Sequence, residues 1–152
     1  MNEGEPALNF QLPDHNGNMI SLASFRGQKN VVLCFYPKNH IFGCPSKKIF
    51  KMAENVIASY PDILSTGSVL FAISIDTVES QKKFVDEYNI PYPHLSDSKK
   101  NTCKMYAGLN IAGLAKRSTF VVDKQGIVRK IIREMNVDSH GKEILDFLKT
   151  LD

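Results

Sequence analysis

Val31-Val32-Leu33-Cys34-Phe35-Tyr36, closed by Pro37, is the stretch on which the fold turns. Its apolar residues run on without alternation, the pattern of a strand covered on both faces. Pro37 offers no N–H to a ladder and ends it. Val69-Leu70-Phe71-Ala72-Ile73-Ser74-Ile75 repeats the signature further on. Between the two, Ile49, Ala53, Val56 and Ile57 recur at three- and four-residue spacing, one face of a helix. That helix is expected to open at Cys44-Pro45, where a first-turn proline is tolerated, and to close at Tyr60-Pro61. Two buried strands joined by a helix imply a right-handed parallel crossover.

Upstream of this unit, Leu8-Asn9-Phe10-Gln11-Leu12 alternates with period two. A turn cluster, Pro13 to Gly17, leads into Met19-Ile20-Ser21-Leu22, which makes an N-terminal hairpin. Downstream, Asp76 is expected to cap a helix carrying Val78, Gln81, Phe84, Val85 and Tyr88, with Glu79 three residues after the cap. Pro91-Tyr92-Pro93 breaks the chain before a short segment around His94-Leu95, and Asn101 to Tyr106 reads as a short helix. Ser118 to Val122 and Gly126 to Ile132 flank Asp123-Lys124-Gln125-Gly126, a hairpin signal. Ile144, Leu145, Leu148 and Leu151 mark a last amphipathic helix capped near Asp138 or Ser139. The order predicts an α/β, thioredoxin-like fold: a mixed central sheet, helices on both faces and an N-terminal β-hairpin extension.

The 152 residues suit one domain, 1–152, since a chain of that size buries about 70% of its unfolded surface without a staple. Nineteen basic and sixteen acidic residues are spread along the sequence, so no clustered basic stripe points to nucleic acid. No apolar run exceeds six residues, far short of the ~20 of a membrane helix. The start, Met-Asn-Glu-Gly-Glu-Pro, has no apolar core of a signal peptide. Cys34, Cys44 and Cys103 form no CxxC and are odd in number, unlike a secreted disulfide scaffold. The four histidines lie at least 25 positions apart and offer no zinc spacing, and no cofactor is expected. These readings favour a soluble protein of the reducing cytoplasm.

In such a fold the carboxyl end of a central strand, opening into a helix N-terminus, is the natural ligand position. Cys44 falls there. Unpaired N–H groups at a helix start favour the thiolate, the nucleophilic form. Cys34, inside a strand, reads instead as a small buried apolar residue.

Several segments together resemble peroxiredoxins of the bacterioferritin comigratory protein (PrxQ) type. They are Ser21 to Gly27, Val31 through Lys38, Gly43-Cys44, Ile73 to Asp76 with Glu79-Ser80, Lys83-Phe84, Leu95 to Asp97, Arg117 to Asp123 and Gly126 to Arg129. The resemblance runs from about Gly4 to Leu151. It implies a thiol-dependent peroxidase: a peroxidatic thiolate attacks hydrogen peroxide or an organic hydroperoxide and becomes sulfenic acid, which a thiol then reduces. Carried over, Cys44 resembles the peroxidatic cysteine and Pro37 the proline seven residues before it that shields the thiolate. Arg117 resembles the arginine that stabilises thiolate and transition state, a task suited to a permanently charged, forked donor. Lys47 and Lys48 read first as solvated first-turn residues, with added positive potential favouring the thiolate as the alternative.

Two departures stand out. The family pattern Pro-x-x-x-Thr/Ser-x-x-Cys here reads Pro37-Lys-Asn-His-Ile41-Phe-Gly-Cys44, so Ile41 replaces the hydroxyl that would bond thiolate and peroxide. Loss of one such donor costs ~10²–10³ in rate, so weakened turnover or an altered substrate preference is expected. Asn39 and His40 are alternative donors, although each reads first as a solvated loop residue. The resolving cysteine is also missing: Ile49 stands five residues after Cys44, the 77–88 helix holds no cysteine, and Cys103 is the sole remote candidate. A one-cysteine mechanism is therefore expected, with thioredoxin, glutaredoxin or a small thiol as reductant and a monomer or homodimer as the assembly. Ile41 also motivates the alternative of a family member that has lost turnover and serves as a redox sensor or binding protein. A thioredoxin-like reductase is excluded by Cys44-Pro45-Ser46-Lys47, which lacks the second thiol. A cysteine hydrolase needs an oriented histidine base, and His40 has no evident partner.

Overall fold

The protein's structure, a computed structural model, describes residues 1–39, 47–133 and 138–151, and of residues 47–52 the backbone alone. The central strand runs as Asn30–Phe35 (β3), all six residues buried. It leads to α1 (Lys47–Ser65), β4 (Ser68–Ser74) and α2 (Val78–Tyr88). The N-terminal hairpin is β1 (Gln11–Pro13) against β2 (Met19–Ser21), a separate two-stranded sheet pairing Leu12 with Ile20. The second half adds β5 (His94–Ser96), α3 (Asn101–Tyr106), β6 (Ser118–Val122), β7 (Val128–Ile132) and α4 (His140–Leu148).

The main sheet has the order β5-β4-β3-β6-β7. β3 is parallel to β4 and antiparallel to β6, so the sheet is mixed as expected. Val32, Cys34 and Tyr36 point to one face, where they pack with Val56 and Ile63 of α1, Phe84 and Val85 of α2, and Ile144 and Leu148 of α4. Val31, Leu33 and Phe35 point to the other, against Phe10 and Leu12 of the hairpin region and Cys103 and Tyr106 of α3. This two-sided burial explains the unbroken apolar run of β3. No helix among the described residues is long and apolar enough to cross a membrane.

Helix boundaries differ from expectation at the end of α1, the start of α2 and the end of α4, while α4 starts where expected. α1 does not close at Tyr60-Pro61 but continues through Pro61 to Ser65. Ile63 continues its apolar stripe and is wholly buried, and that burial offsets the hydrogen bond the proline removes. α2 is capped by Thr77, not Asp76: the Thr77 hydroxyl accepts from Ser80 N–H at 3.2 Å, while the Asp76 carboxylate is engaged elsewhere. α4 starts after Ser139, whose side chain makes no cap bond. Asn55 of α1 takes that role, accepting from Gly141 N–H at 2.6 Å and donating to the Asp138 carbonyl at 2.7 Å. Leu151 lies beyond α4 and packs on the core from the tail.

Candidate active site

The β3–β6 register pairs Phe35 with Ser118, which fixes what stands at the carboxyl end of the central strand. Tyr36 and Pro37 leave the sheet there, with Tyr36 N–H still donating to the Ile73 carbonyl at 3.1 Å. Arg117, one residue before Ser118, meets them at that edge. Its Nε is buried and has no acceptor among the described residues, and burial lowers its pKa from the ordinary guanidinium range. A guanidinium with an open donor inside a partly desolvated edge is ready for an anion. Arg133, one residue past the Thr119–Ile132 pair, brings a second guanidinium to the same end of the sheet, lying over the Phe120 ring at 5.5 Å from its centroid.

Pro37 is half-buried beside Tyr36. The expected nucleophile, Cys44, lies outside the described residues, as do His40, Ile41, Gly43 and Pro45. The other two thiols are described. Cys34 is buried in the core, where burial pushes its thiol up to about 12 with a small opposing effect from the Thr119 hydroxyl. Cys103 has no exposed surface and packs with Phe35, Tyr106 and Phe120, while its N–H donates to Asp97 Oδ2 at 2.6 Å. Burial first, then the Asp97 carboxylate, pushes the Cys103 thiol far up. Both stay protonated at neutral pH and are poor nucleophiles.

Asn39 overturns the solvated-loop expectation: it is wholly buried and belongs to a polar cluster at the carboxyl ends of β3, β4 and β5. Its Oδ1 lies 2.5 Å from the Tyr36 hydroxyl, and its Nδ2 donates to Gln81 Oε1 at 2.9 Å and reaches Ser80 Oγ at 3.2 Å. Its backbone N–H donates to Asp76 Oδ2 at 2.9 Å. Asp76 also accepts from Ser74 Oγ at 2.5 Å. Gln81, with no exposed surface, donates through Nε2 to Ser74 Oγ at 3.0 Å and to the Leu95 carbonyl at 2.8 Å.

Counting protons assigns a tautomer within this cluster. Tyr36 has one hydroxyl hydrogen, and Asn39 Oδ1, the nearest acceptor, takes it. His94 Nδ1, 2.8 Å from the same oxygen, must then carry a proton and donate. His94 Nε2 is left as a bare acceptor, and it has no partner among the described residues. Burial, assisted by the nearby His15, holds the His94 pKa down to about 3, so the ring is neutral at physiological pH.

The sequence pattern missed this cluster, yet it carried a signal. Gln81 sits on the buried face of α2 with Phe84 and Val85, and a polar residue on a core face must find partners.

Comparison with known proteins gives this geometry its context. A protein-family model described as the AhpC/TSA family matches residues 4–131. Peroxiredoxin Bcp of Bacillus subtilis is 30% identical over 161 residues, covering 97% of this chain and 95% of its own. The chain belongs to the AhpC/TSA family of peroxiredoxins. A chloroplastic peroxiredoxin Q of Arabidopsis thaliana is 36% identical over 98% of this chain and 68% of its own. Among solved structures, the peroxidoxin BcpB of Mycobacterium tuberculosis superposes with a TM-score of 0.86 at 27% identity, covering 100% of this chain and 99% of that one. A cysteine-to-serine mutant of Xylella fastidiosa PrxQ gives 0.87 at 23% identity over 99% and 96% of the two chains, a likeness of fold. As a peroxiredoxin of the Bcp/Q type, the chain is a thiol-dependent peroxidase with a thioredoxin fold.

Proposed function

We propose that this peroxiredoxin reduces hydrogen peroxide and organic hydroperoxides at Cys44, with Arg117 holding the thiolate and the departing oxygen. The observation that carries the reading is the buried Nε of Arg117, without a partner among the described residues, at the edge where the chain leaves β3. The Cys44 thiolate attacks the distal peroxide oxygen: the S–O bond forms, the O–O bond breaks, and the sulfur loses two electrons to the peroxide. The leaving alkoxide or hydroxide takes a proton from solvent and departs as alcohol or water, and Cys44 is left as sulfenic acid. Arg117 spreads the negative charge that moves from sulfur to oxygen. Pro37 screens the thiolate from bulk water.

A one-cysteine cycle is the reading for reduction. An external thiol attacks the sulfenic sulfur and releases water, and a second thiol exchanges with the mixed disulfide to restore Cys44. The full burial and raised pKa of Cys103 support this, because a resolving thiol needs access and thiolate character. The reductant is read as thioredoxin, glutaredoxin or a small thiol, and the protein as a cytoplasmic monomer or homodimer without nucleic-acid or membrane partners.

Stopped-flow mixing with hydrogen peroxide and with an organic hydroperoxide tests the reading. Cys44→Ser is expected to abolish rapid consumption, and peptide mass spectrometry should find the sulfenic adduct on Cys44. A Cys44–Cys103 disulfide in the oxidised protein would overturn the one-cysteine cycle. Ile41→Thr restores the missing hydroxyl and is expected to raise the rate ~10²-fold. Oxidation of wild-type Cys44 no faster than a free thiol would favour the second reading, a sensor without turnover.

A further inference from the structure

A buried hydrogen-bond cluster ties α2 to Asn39, the last described residue before the segment that carries Cys44. Asn39 is held twice. Its backbone N–H is bound by Asp76, and its amide is bound by Tyr36, Ser80 and Gln81. Position and orientation of this residue are therefore both fixed. Gln81 carries the amide contacts to the sheet, beside the Asp76–Ser74 bond that carries the backbone one. One end of its amide receives Asn39 Nδ2 and lies 3.0 Å from the Tyr36 hydroxyl. The other end is bolted to β4 through Ser74 and to β5 through the Leu95 carbonyl.

An apolar residue at position 81 would suit its neighbours, since Phe84 and Val85 on the same face pack into the hydrophobic core. A fully buried, fully bonded amide instead imposes direction, which apolar packing does not. What it directs is the exit of β3. Asn39 is five residues from Cys44 in sequence and shares the strand end with Arg117.

We infer that Gln81 is a positioning residue for the peroxide chemistry: it fixes Asn39, and with it the point from which the chain runs to Cys44 relative to Arg117. The inference rests on the reading of Cys44 as the peroxidatic residue. Gln81 itself touches no reacting atom. Misplacement of a reacting group by about an ångström costs up to ~10²-fold in rate, so loss of this fixed point has a measurable expectation.

The test uses the full-length protein and Gln81→Met, which conserves volume and removes the hydrogen bonds. Two quantities are read: the second-order rate with hydrogen peroxide, and the pH midpoint of Cys44 alkylation by iodoacetamide, followed on the Cys44 peptide. Val85→Ala, on the same helix and outside the cluster, is the control for simple loss of stability. Gln81→Met is expected to lower the peroxide rate ~10-fold or more and to move the alkylation midpoint upward, while Val85→Ala leaves both within about twofold. Equal, small effects from the two variants would overturn the inference and leave Gln81 a purely structural residue. Should Gln81→Met fail to fold, Tyr36→Phe removes one hydroxyl from the same cluster and is read in the same way. If wild-type Cys44 shows no rapid peroxide reaction, the proposed function fails, and the alkylation midpoint alone decides the positioning role.

Discussion

The segment between Asn39 and α1 is anchored upstream and downstream by different physics. Upstream, Asn39 is fixed by directional hydrogen bonds, accepting from Tyr36 and donating to Asp76, Ser80 and Gln81, all gathered around a residue without exposed surface. Downstream, α1 is fixed mainly by packing: Val56 and Ile63 sit in the core, and the helix lies so close to α4 that a Cβ on Gly141 would come 2.5 Å from the Asn55 carbonyl oxygen. Hydrogen bonds define a position sharply and lose it when one partner is removed, leaving buried groups unpaired. Packing tolerates the loss of a methyl group but not the insertion of one where backbone meets backbone. The upstream anchor suits a point whose direction matters to chemistry; the downstream anchor suits a platform.

That contrast can be attacked at its packed side first. Gly141→Ala places a methyl group against the Asn55 backbone and 2.7 Å from Ser59 Oγ, so α1 and α4 must part. Despite the better helix propensity of alanine, the expected cost is about 3 kcal/mol, read as a fall in the urea midpoint. A neutral result would mean that the two helices are held loosely and the contrast is false.

The polar side is probed by acid. His94 has a folded-state pKa near 3, below the ordinary 6.5, because burial penalises its charged form. Between those values the unfolded chain binds a proton that the folded chain refuses. Stability is therefore complete above pH 6.5 and falls as the pH drops through that window. From pH 7 to pH 5 the loss from this one ring is about 2 kcal/mol. His140, also buried and lowered, acts in the same direction. His94→Asn keeps an N–H donor for Tyr36 without the titration, so urea titrations at the two pH values should show a shallower acid loss than wild type. Equal slopes would place His94 outside the acid-sensitive group.

Much of this architecture was legible in the residues. β3 and β4 declared themselves as unbroken apolar runs, and the Asp123–Gly126 turn fixed the late hairpin, where Gly126 adopts a φ of 81° that favours glycine. What failed did so where tertiary contacts outvoted local rules. Pro61 should have ended α1, but the burial of Ile63 carries the helix past it. Asp76 had the chemistry of a cap, yet its carboxylate is engaged by Asn39 and Ser74, so Thr77 caps instead. Asn39 looked like a loop residue because its neighbours in sequence are polar. Apart from Tyr36, its named partners in space, Asp76, Ser80 and Gln81, lie 37 and more positions away, where no local pattern reaches. Arg117 was found through family likeness rather than periodicity, and its buried Nε supplies the physical support that spacing lacked.

Cys34 and Cys103, sealed into opposite faces of the sheet, give the molecule an internal clock. Neither sulfur meets an aqueous reagent while the fold is closed. Slow thiol labelling of these two positions would thus time the opening of each half of the core separately, and a difference between their rates would tell which layer peels away first.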